Sequence, residues 1–192
     1  MKNGLPLVVA ITGASGAVYG IEALKALKKT GVPAHLVLSR AALQTIKLET
    51  AVTAKTVRAL AAKLYEEDDI AAAISSGSFK TRGMLVAPCS IKTLSGIATS
   101  YADNLIVRAA DVTLKERRRL VLMVRETPLH KGHLELMTKA TEAGAIILPP
   151  MPAFYHQPKT VMDIVHQSVG KALDMFDIPH ALFKGWEGAK GL

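Results

Sequence analysis

The stretch 7–20, LVVAITGASGAVYG, has the residue types and spacing of a site for a small ligand. An apolar run ends at Thr12, and the small residues Gly13-Ala14-Ser15-Gly16-Ala17 follow before helical spacing begins. This pattern predicts a buried strand, a tight turn and a helix start, where unpaired N–H groups and the positive end of the helix dipole can hold an anion or the acceptor edge of a ring. Ser15 adds a hydroxyl that donates and accepts, or it simply caps the helix.

The turn differs from common nucleotide-binding motifs. A G-x-G-x-x-G dinucleotide site needs glycine where Ser15 stands, and it is normally followed by an acidic residue for the ribose. The chain has Ser39-Arg40 there, and Arg40 would suit a 2′-phosphate, so NADP is weakened as a ligand without being excluded. The Lys-Ser or Lys-Thr of a Walker loop is missing from the turn. A turn without any ligand is the remaining alternative.

Further polar residues are expected beside this turn, at the ends of other strands. Apolar runs alternate with helical spacing along the chain, which predicts one doubly wound parallel sheet between two helix layers. Ligands bind outside the carboxyl ends of such strands. The predicted ends hold residues 12–15, Ser39, residues 88–90, Arg125-Glu126 and residues 149–155.

The expected elements divide the chain as follows. The predicted strands cover residues 7–11, 34–39, 64–66, 84–87, 120–124 and 145–148. The predicted helices cover residues 18–29, 41–49, 55–64, 91–99, 105–118, 132–143 and 160–175. We expect residues 1–192 to form a single domain with a tail at about 177–192, because no linker or repeat interrupts the alternation.

Composition favours a cytoplasmic protein that binds small molecules. The 192 residues, 49% of them hydrophobic, suffice for one domain with a substantial core, and the apolar surplus favours subunit interfaces. Apolar runs are shorter than the ~20 residues of a membrane helix. The single cysteine, Cys89, fits a reducing compartment and a buried position better than a role as nucleophile.

Charge is informative about ligands. The net charge of +8 is spread along the chain and only 5% of residues are aromatic, which favours a solvated basic face and phosphorylated small molecules over nucleic acid. The acidic run Glu66-Glu67-Asp68-Asp69 lacks the spacing of a D-D-x-x-D metal motif, so we expect a solvated turn and no metal site.

Several blocks together resemble the UbiX-type flavin prenyltransferases, from residue 7 to about residue 186. The blocks are Gly13-Ala14-Ser15-Gly16-Ala17, Pro88-Cys89-Ser90-Ile91-Lys92-Thr93-Leu94-Ser95-Gly96, Arg108-Ala109-Ala110-Asp111, Leu114-Lys115-Glu116-Arg117-Arg118, Arg125-Glu126-Thr127-Pro128 and Phe154-Tyr155-His156-Gln157-Pro158. The resemblance implies a Rossmann-like, three-layer α/β/α flavoprotein of the homo-oligomeric flavin-containing decarboxylase type. It also implies trimers that assemble into a dodecamer, with sites at subunit contacts.

The resemblance implies an activity as well. The enzyme would join the dimethylallyl group of dimethylallyl phosphate to N5 and C6 of reduced FMN and release phosphate. The product, prenylated FMN, would serve as cofactor for a separate UbiD-type decarboxylase, in ubiquinone synthesis or in aromatic-acid decarboxylation. A monophosphate leaving group fits the missing metal motif, because a diphosphate normally requires Mg²⁺.

Residue roles follow from the same resemblance. The residues implied to bind FMN are Gly13, Ala14, Ser15, Ser39, Ser90, Ile91, Lys92, Thr93 and Arg125. Tyr155 and Lys171 are implied to bind the prenyl phosphate, and Ser15, Glu49, Lys115 and Glu126 are the implied catalytic residues. Some relatives have Arg at Lys171 and Trp near Ile70, so this chain lacks a bidentate phosphate contact and an aromatic shield there.

The residues themselves leave other interpretations open. Lys115 and Glu126 could form a structural ion pair, Tyr155 could be an interface aromatic, and His156 could be structural. The whole protein could be an FMN-binding accessory or delivery module of a decarboxylase. It could also be a flavin-dependent cysteine decarboxylase of the same fold, although residues 149–155 replace the P-x-M-N-x-x-M-W-like segment of those enzymes.

Overall fold

Six parallel strands in the order β3-β2-β1-β4-β5-β6 form one sheet with helices on both faces. The computed structural model describes residues 4–186 and 188. The strands are β1 (Leu7–Ile11), β2 (Ala34–Leu38), β3 (Lys63–Tyr65), β4 (Gly83–Cys89), β5 (Arg119–Val124) and β6 (Ile146–Ile147). The helices are α1 (Ala17–Thr30), α2 (Arg40–Glu49), α3 (Ala54–Arg58), α4 (Ile91–Ala98), α5 (Leu105–Lys115), α6 (Lys131–Glu142) and α7 (Val161–Asp174), with a 3₁₀ turn at Ala73–Ser75.

The apolar core has two halves, one on each face of the sheet. Leu7, Val9 and Ile11 of β1 face α1 and α7, whereas Val8 and Ala10 face the side of α4 and α5. Alternate residues of a strand point to opposite faces, so a strand covered on both sides must be apolar throughout. The doubly wound α/β/α fold expected from the sequence is confirmed.

The strand order changes direction at β1. Strands β2 and β3 lie on one side of β1, and β4, β5 and β6 lie on the other. In the register, Leu7 of β1 lies beside Ala34 of β2 on one side and beside Gly83 of β4 on the other. Loops that follow these two strands diverge and leave a crevice at the carboxyl edge of the sheet. The turn of residues 12–16, called the glycine turn below, lies at this crevice.

Several predicted boundaries were wrong, most of all between residues 55 and 66. Helix α3 stops at Arg58, and β3 begins at Lys63 because Leu64 pairs with Leu36 of β2. Helix α5 ends at Lys115 rather than at residue 118, and Arg117 adopts φ 54° in the turn that follows. Strand β4 extends through Pro88 to Cys89, which lies beside Val124 of β5.

None of the helices that the structure describes is long and apolar enough to cross a membrane.

Candidate active site

Two short loops are joined at the crevice by the side chain of Thr12. Its hydroxyl donates to the carbonyl of Pro88 at 2.8 Å and accepts from the Ser90 amide at 2.8 Å. Thr12 is 1% exposed, so these bonds satisfy a buried hydroxyl and hold the ends of β1 and β4 together. No positioning role was predicted for Thr12, although a polar residue directly after an apolar strand indicates one.

A first cavity, the Ser90 cavity, lies over the ends of β1, β2 and β4. Its volume is about 560 Å³, within the range of small-molecule sites. It is lined by Gly13, Ser39, Arg40, Ala41, Glu67, Asp68, Ser90, Lys92, Thr93, Asp103, Asn104 and Val107. The structure therefore brings together Gly13, Ser39, Ser90, Lys92 and Thr93 of the expected FMN residues.

The serines of this cavity begin helices. Ser39 Oγ accepts from the Ala42 amide at 3.0 Å, and Ser90 Oγ accepts from the Thr93 amide at 3.3 Å. The Arg40 amide of α2 already donates to Glu67 at 2.8 Å. The amides of Ile91 and Lys92 in the first turn of α4 have no intrahelical acceptor, so this helix start and the Lys92 ammonium can hold an anion.

A second cavity, the Glu49 cavity, lies on the other side of the glycine turn and measures about 530 Å³. It is lined by Ser15, Gly16, Val18, Tyr19, Glu49, Thr50, Arg125, Pro150, Val161 and Val165. Arg125 reaches it from the end of β5, where its amide donates to the carbonyl of Cys89 at 3.1 Å. Among the predicted catalytic residues, Ser15 and Glu49 meet here, beside Arg125.

Glu49 fills the anion-binding start of α1. Its Oε2 accepts from the amides of Gly16 at 2.8 Å and Ala17 at 3.3 Å, and the Ser15 hydroxyl also bonds to this side chain. Gly16 is the N-cap, with φ 102° and no side-chain bond, so the alternative of Ser15 as cap is not realised. A carboxylate from the same chain thus occupies the socket expected for a ligand.

Glu49 is ionised at neutral pH. Burial raises its pKa, but the hydrogen bonds from Ser15, Gly16 and Ala17 and the charge of Arg125 outweigh this and hold the pKa below its usual value. The Glu49 carboxylate therefore places a negative charge against the glycine turn, close to the Arg125 guanidinium.

Tyr19 is a further residue of the Glu49 cavity, and no role was predicted for it. It lies in the first turn of α1, and its ring would contact a Cβ placed on Gly16. Burial raises the pKa of its hydroxyl, partly offset by the Arg125 charge, so the phenol stays protonated. In the sequence, only its position three residues after the glycine turn indicates that Tyr19 lies near the site.

A third cavity, the Tyr155 cavity, measures about 550 Å³ and is separate from the Glu49 cavity. Its described lining includes Tyr155, His156, Gln157, Pro158, Asp163, Leu182, Phe183, Lys184, Gly185, Trp186 and Gly188. The first turns of α7 border both cavities, since Val161 and Val165 line the second and Asp163 lines the third. Lys171 lies near the end of α7 and pairs with Asp174 at 3.6 Å.

Lys115 and Glu126 lie away from each other. Helix α5 starts at the Ser90 cavity and is 11 residues long, about 16 Å, so Lys115 lies near the opposite edge of the sheet. There its ammonium pairs with Glu116 at 2.6 Å, and this bond holds the pKa of Glu116 below its usual value. Glu126 is exposed and accepts from the Thr127 amide at 2.9 Å. The alternative of a Lys115–Glu126 ion pair within one chain is therefore not found.

Ala14 and Ile91 are half-buried residues of the two loops, and Cys89 is buried in β4. Burial raises the pKa of the Cys89 thiol, which makes it a core residue and not a nucleophile. Across residues 4–186 and 188, no group of three or more His, Cys, Asp or Glu side chains is placed to hold a metal ion.

Known proteins share both the sequence and the fold. A family model, Flavoprotein, matches residues 1–179. The flavin prenyltransferase UbiX of Salmonella typhimurium is 59% identical over 186 residues, which cover 95% of this chain and 98% of that protein.

Two crystal structures are similar along nearly the whole chain. AnUbiX (PadA1) in complex with FMN and dimethylallyl pyrophosphate has a TM-score of 0.95 and 51% identity, covering 96% of this chain and 98% of that one. The dodecameric FMN-dependent UbiX-like decarboxylase of Escherichia coli O157:H7 has a TM-score of 0.93 and 51% identity, covering 96% and 100%. With the glycine turn and the two cavities beside it, these matches establish that the chain belongs to the UbiX-type flavin prenyltransferases of the Flavoprotein family.

Proposed function

We propose that this protein transfers the dimethylallyl group of dimethylallyl phosphate to N5 and C6 of reduced FMN and releases phosphate. The observation that carries the proposal is the placing of the glycine turn between an anion-binding cavity and the cavity of Ser15, Glu49 and Arg125. One side of the turn suits the phosphate end of FMN, and the other suits a reactive ring edge beside groups that handle protons and anions.

The residues of the Ser90 cavity fit the phosphate end of FMN. The amides at the start of α4 and the Lys92 ammonium are donors for a phosphate. The Ser90 and Thr93 hydroxyls bond to each other at 3.1 Å, so one of the two protons remains for the ligand. The start of α1 is not available for this purpose, because Glu49 occupies it. We therefore propose that Gly13, Ala14 and Ser15 contact the ring system, whereas Ser39 and residues 90–93 hold the ribityl phosphate.

Bound reduced FMN supplies the nucleophilic N5 and C6 atoms. Because the Ser15 hydroxyl is bonded to the Glu49 carboxylate, the Ser15 oxygen can accept a hydrogen bond from an N–H group of the ligand. Glu49 is ionised and can therefore accept a proton through Ser15. Arg125 faces the same cavity and stabilises negative charge there. Glu126, the next residue, is exposed and is the second proton acceptor that we propose.

We further propose that the complete site is built from several copies of the chain. Lys115 lies at the far edge of the sheet, and Tyr155 and Lys171 lie outside the Glu49 cavity of their own chain. Large apolar side chains are exposed and available for subunit contacts, including Leu48 at 84%, Phe154 at 70% and Leu134 at 52%. The dodecameric relative supports a homo-oligomer, and we propose that it is built of trimers in which neighbours contribute these residues to one another's sites.

The product would be prenylated FMN for a UbiD-type decarboxylase, and the enzyme would act in the cytoplasm. A closed ring bound through N5 and C6 is a modified cofactor and not a metabolic end product, which supports a partner enzyme that receives it. The single buried Cys89 agrees with a reducing compartment.

The test is anaerobic incubation of the purified protein with FMN, dithionite and dimethylallyl phosphate, followed by mass spectrometry of the flavin. We expect FMN to gain one dimethylallyl unit, with and without EDTA. Parallel reactions with dimethylallyl pyrophosphate identify the preferred donor. Glu49→Gln is expected to bind FMN but to lose most of the product. Bound FMN of unchanged mass with either donor would contradict the proposal and favour a delivery module.

A further inference from the structure

We infer that Gln167 is a positioning residue that fixes the direction of the hydrogen bond made by the Tyr155 hydroxyl. The inference rests on the proposed function and on the binding of the prenyl phosphate by Tyr155 and Lys171 that the family resemblance implies. It adds a residue that neither the sequence motifs nor the cavity lining single out.

Gln167 is a buried polar side chain in the middle of α7. It is only 6% exposed and is followed along the helix by the fully buried Val169 and Ala172. A buried amide without a partner is unfavourable, so its contacts are informative. Gln167 Nε2 donates to the Tyr155 hydroxyl at 3.4 Å.

The direction of this bond decides what Tyr155 can offer to a ligand. An amide nitrogen only donates, so the phenol oxygen accepts and the phenol proton remains free for another acceptor. Tyr155 is 43% exposed and lines the Tyr155 cavity, with the Trp186 ring edge-on at 6.0 Å. The free proton is thus available to an anion in that cavity. With the opposite direction, the hydroxyl would present only lone pairs, which repel a phosphate.

Lys171 supplies a second donor on the same side of α7. It follows Gln167 by four residues, which places the two on one helix face about 6 Å apart along the axis. Its pairing with Asp174 at 3.6 Å is half-exposed, with 46% and 42% of the side chains accessible, so an incoming phosphate can replace it. We infer that the Tyr155 hydroxyl, held by Gln167, and the Lys171 ammonium donate to the same phosphate.

The experiment compares three variants in the assembled, FMN-loaded protein. Gln167→Met removes the donor at similar volume, and we expect KM for dimethylallyl phosphate to rise about tenfold with kcat nearly unchanged. Gln167→Glu replaces the donor by an acceptor and is expected to raise KM at least as much. Ser168→Ala is the matched control, because Ser168 is 4% exposed on the same helix and its hydroxyl has no partner among the described residues. Its KM should stay at the wild-type value.

A double-mutant comparison separates positioning from packing. In a Tyr155→Phe background, Gln167→Met is expected to change KM no further, because the hydroxyl that it orients is gone. FMN affinity, measured by fluorescence quenching, should be equal in all variants. Unchanged KM in Gln167→Met, or an effect that adds fully to that of Tyr155→Phe, would overturn the inference.

Binding of inorganic phosphate by calorimetry distinguishes this inference from the proposed function. If wild-type protein makes no prenylated flavin, the proposed function fails. The inference then stands if Gln167→Met and Gln167→Glu weaken phosphate binding about tenfold while Ser168→Ala does not. It fails if all four proteins bind phosphate equally.

Discussion

Glu49 shows how one residue can serve both the fold and the site. Its carboxylate comes from the last residue of α2, 33 positions from Gly16, and stabilises the start of α1. The same charge lies in the cavity with Ser15 and Arg125. Because hydrogen bonds lower its pKa, this contribution to stability exists only while the carboxylate is ionised.

We expect Glu49→Ala to lower the free energy of unfolding by about 1 kcal/mol at pH 7, a typical N-cap contribution that solvent screening reduces at this exposed side chain. The pKa is depressed in the folded state, so the difference from wild type is fully present above the unfolded value of 4.5 and disappears as pH falls through the folded value. Urea unfolding at several pH values measures it. Glu49→Gln keeps an acceptor without a charge, so its difference from wild type should be smaller than that of Glu49→Ala and should also shrink at acid pH, where the wild-type carboxyl is uncharged. A constant Glu49→Ala difference down to acid pH would argue against the ionised cap.

At the scale of elements, α1 is held unusually close to the sheet, and this contact places the glycine turn. A Cβ on Gly20 would overlap the carbonyl oxygen of Ala87 and approach Ile11 Cγ1 to 2.7 Å. Gly20 is in the second turn of α1, so any shift there also moves Gly16 and Ser15. The close contact is therefore a requirement of the site as well as of the core.

We expect Gly20→Ala to destabilise the protein by about 1–3 kcal/mol, because a backbone carbonyl cannot move aside as a side chain can. It should also weaken FMN binding by displacing the glycine turn. Gly96→Ala is the control within α4. There the added Cβ meets the Val107 side chain at 3.0 Å and a backbone oxygen, that of Tyr101, only at 3.3 Å, and the gain in helix propensity, about 1 kcal/mol, offsets the crowding. Thermal unfolding measures the stability of each variant, and flavin fluorescence measures its FMN affinity. Equal stabilities of Gly20→Ala and Gly96→Ala would contradict the predicted clash with the Ala87 carbonyl.

At the scale of the molecule, one chain holds only part of the proposed chemistry. Ser15, Glu49 and Arg125 share a cavity at the carboxyl edge of the sheet. Lys115 lies near the amino edge, and Tyr155 lines another cavity. Helices and strands hold these groups rigidly, so folding of one chain cannot bring them together. We therefore propose that assembly of several copies brings these groups together.

Co-expression of two inactive variants tests whether Glu49 and Lys115 act from different copies of the chain. Homo-oligomers of Glu49→Gln and of Lys115→Ala should each be nearly inactive, whereas co-expression of the two should restore activity at about a quarter of the sites, because random mixing then pairs intact residues from different copies. The comparison is wild type co-expressed with the double variant in one chain, which should reach a similar level. Absence of recovery in the mixed single variants would show that both residues act from the same chain.

Much of the fold, and the lining of the Ser90 cavity, follows from local patterns of apolar and small residues. The apolar runs before Thr12 and before Ser90 require buried strands, and the glycines after Ile11 require a tight turn, whatever the rest of the chain does. Parallel strands share their carboxyl edge, so the meeting of Gly13, Ser39 and Ser90 at one cavity was predictable. The bounds of α3 and β3 were not, because pairing with β2 overrides the weak helical spacing there.

The sequence by itself therefore determined the parallel sheet, its binding edge and the small residues that form the glycine turn. Only the tertiary structure decided that Glu49 occupies the start of α1, that Gln167 meets Tyr155, and that Lys115 lies at the far edge. The physical reason is the range of the interactions. Turn geometry and strand periodicity depend on neighbours in sequence, whereas Glu49 and Gln167 meet partners 33 and 12 residues away that only the packing of the whole chain brings near.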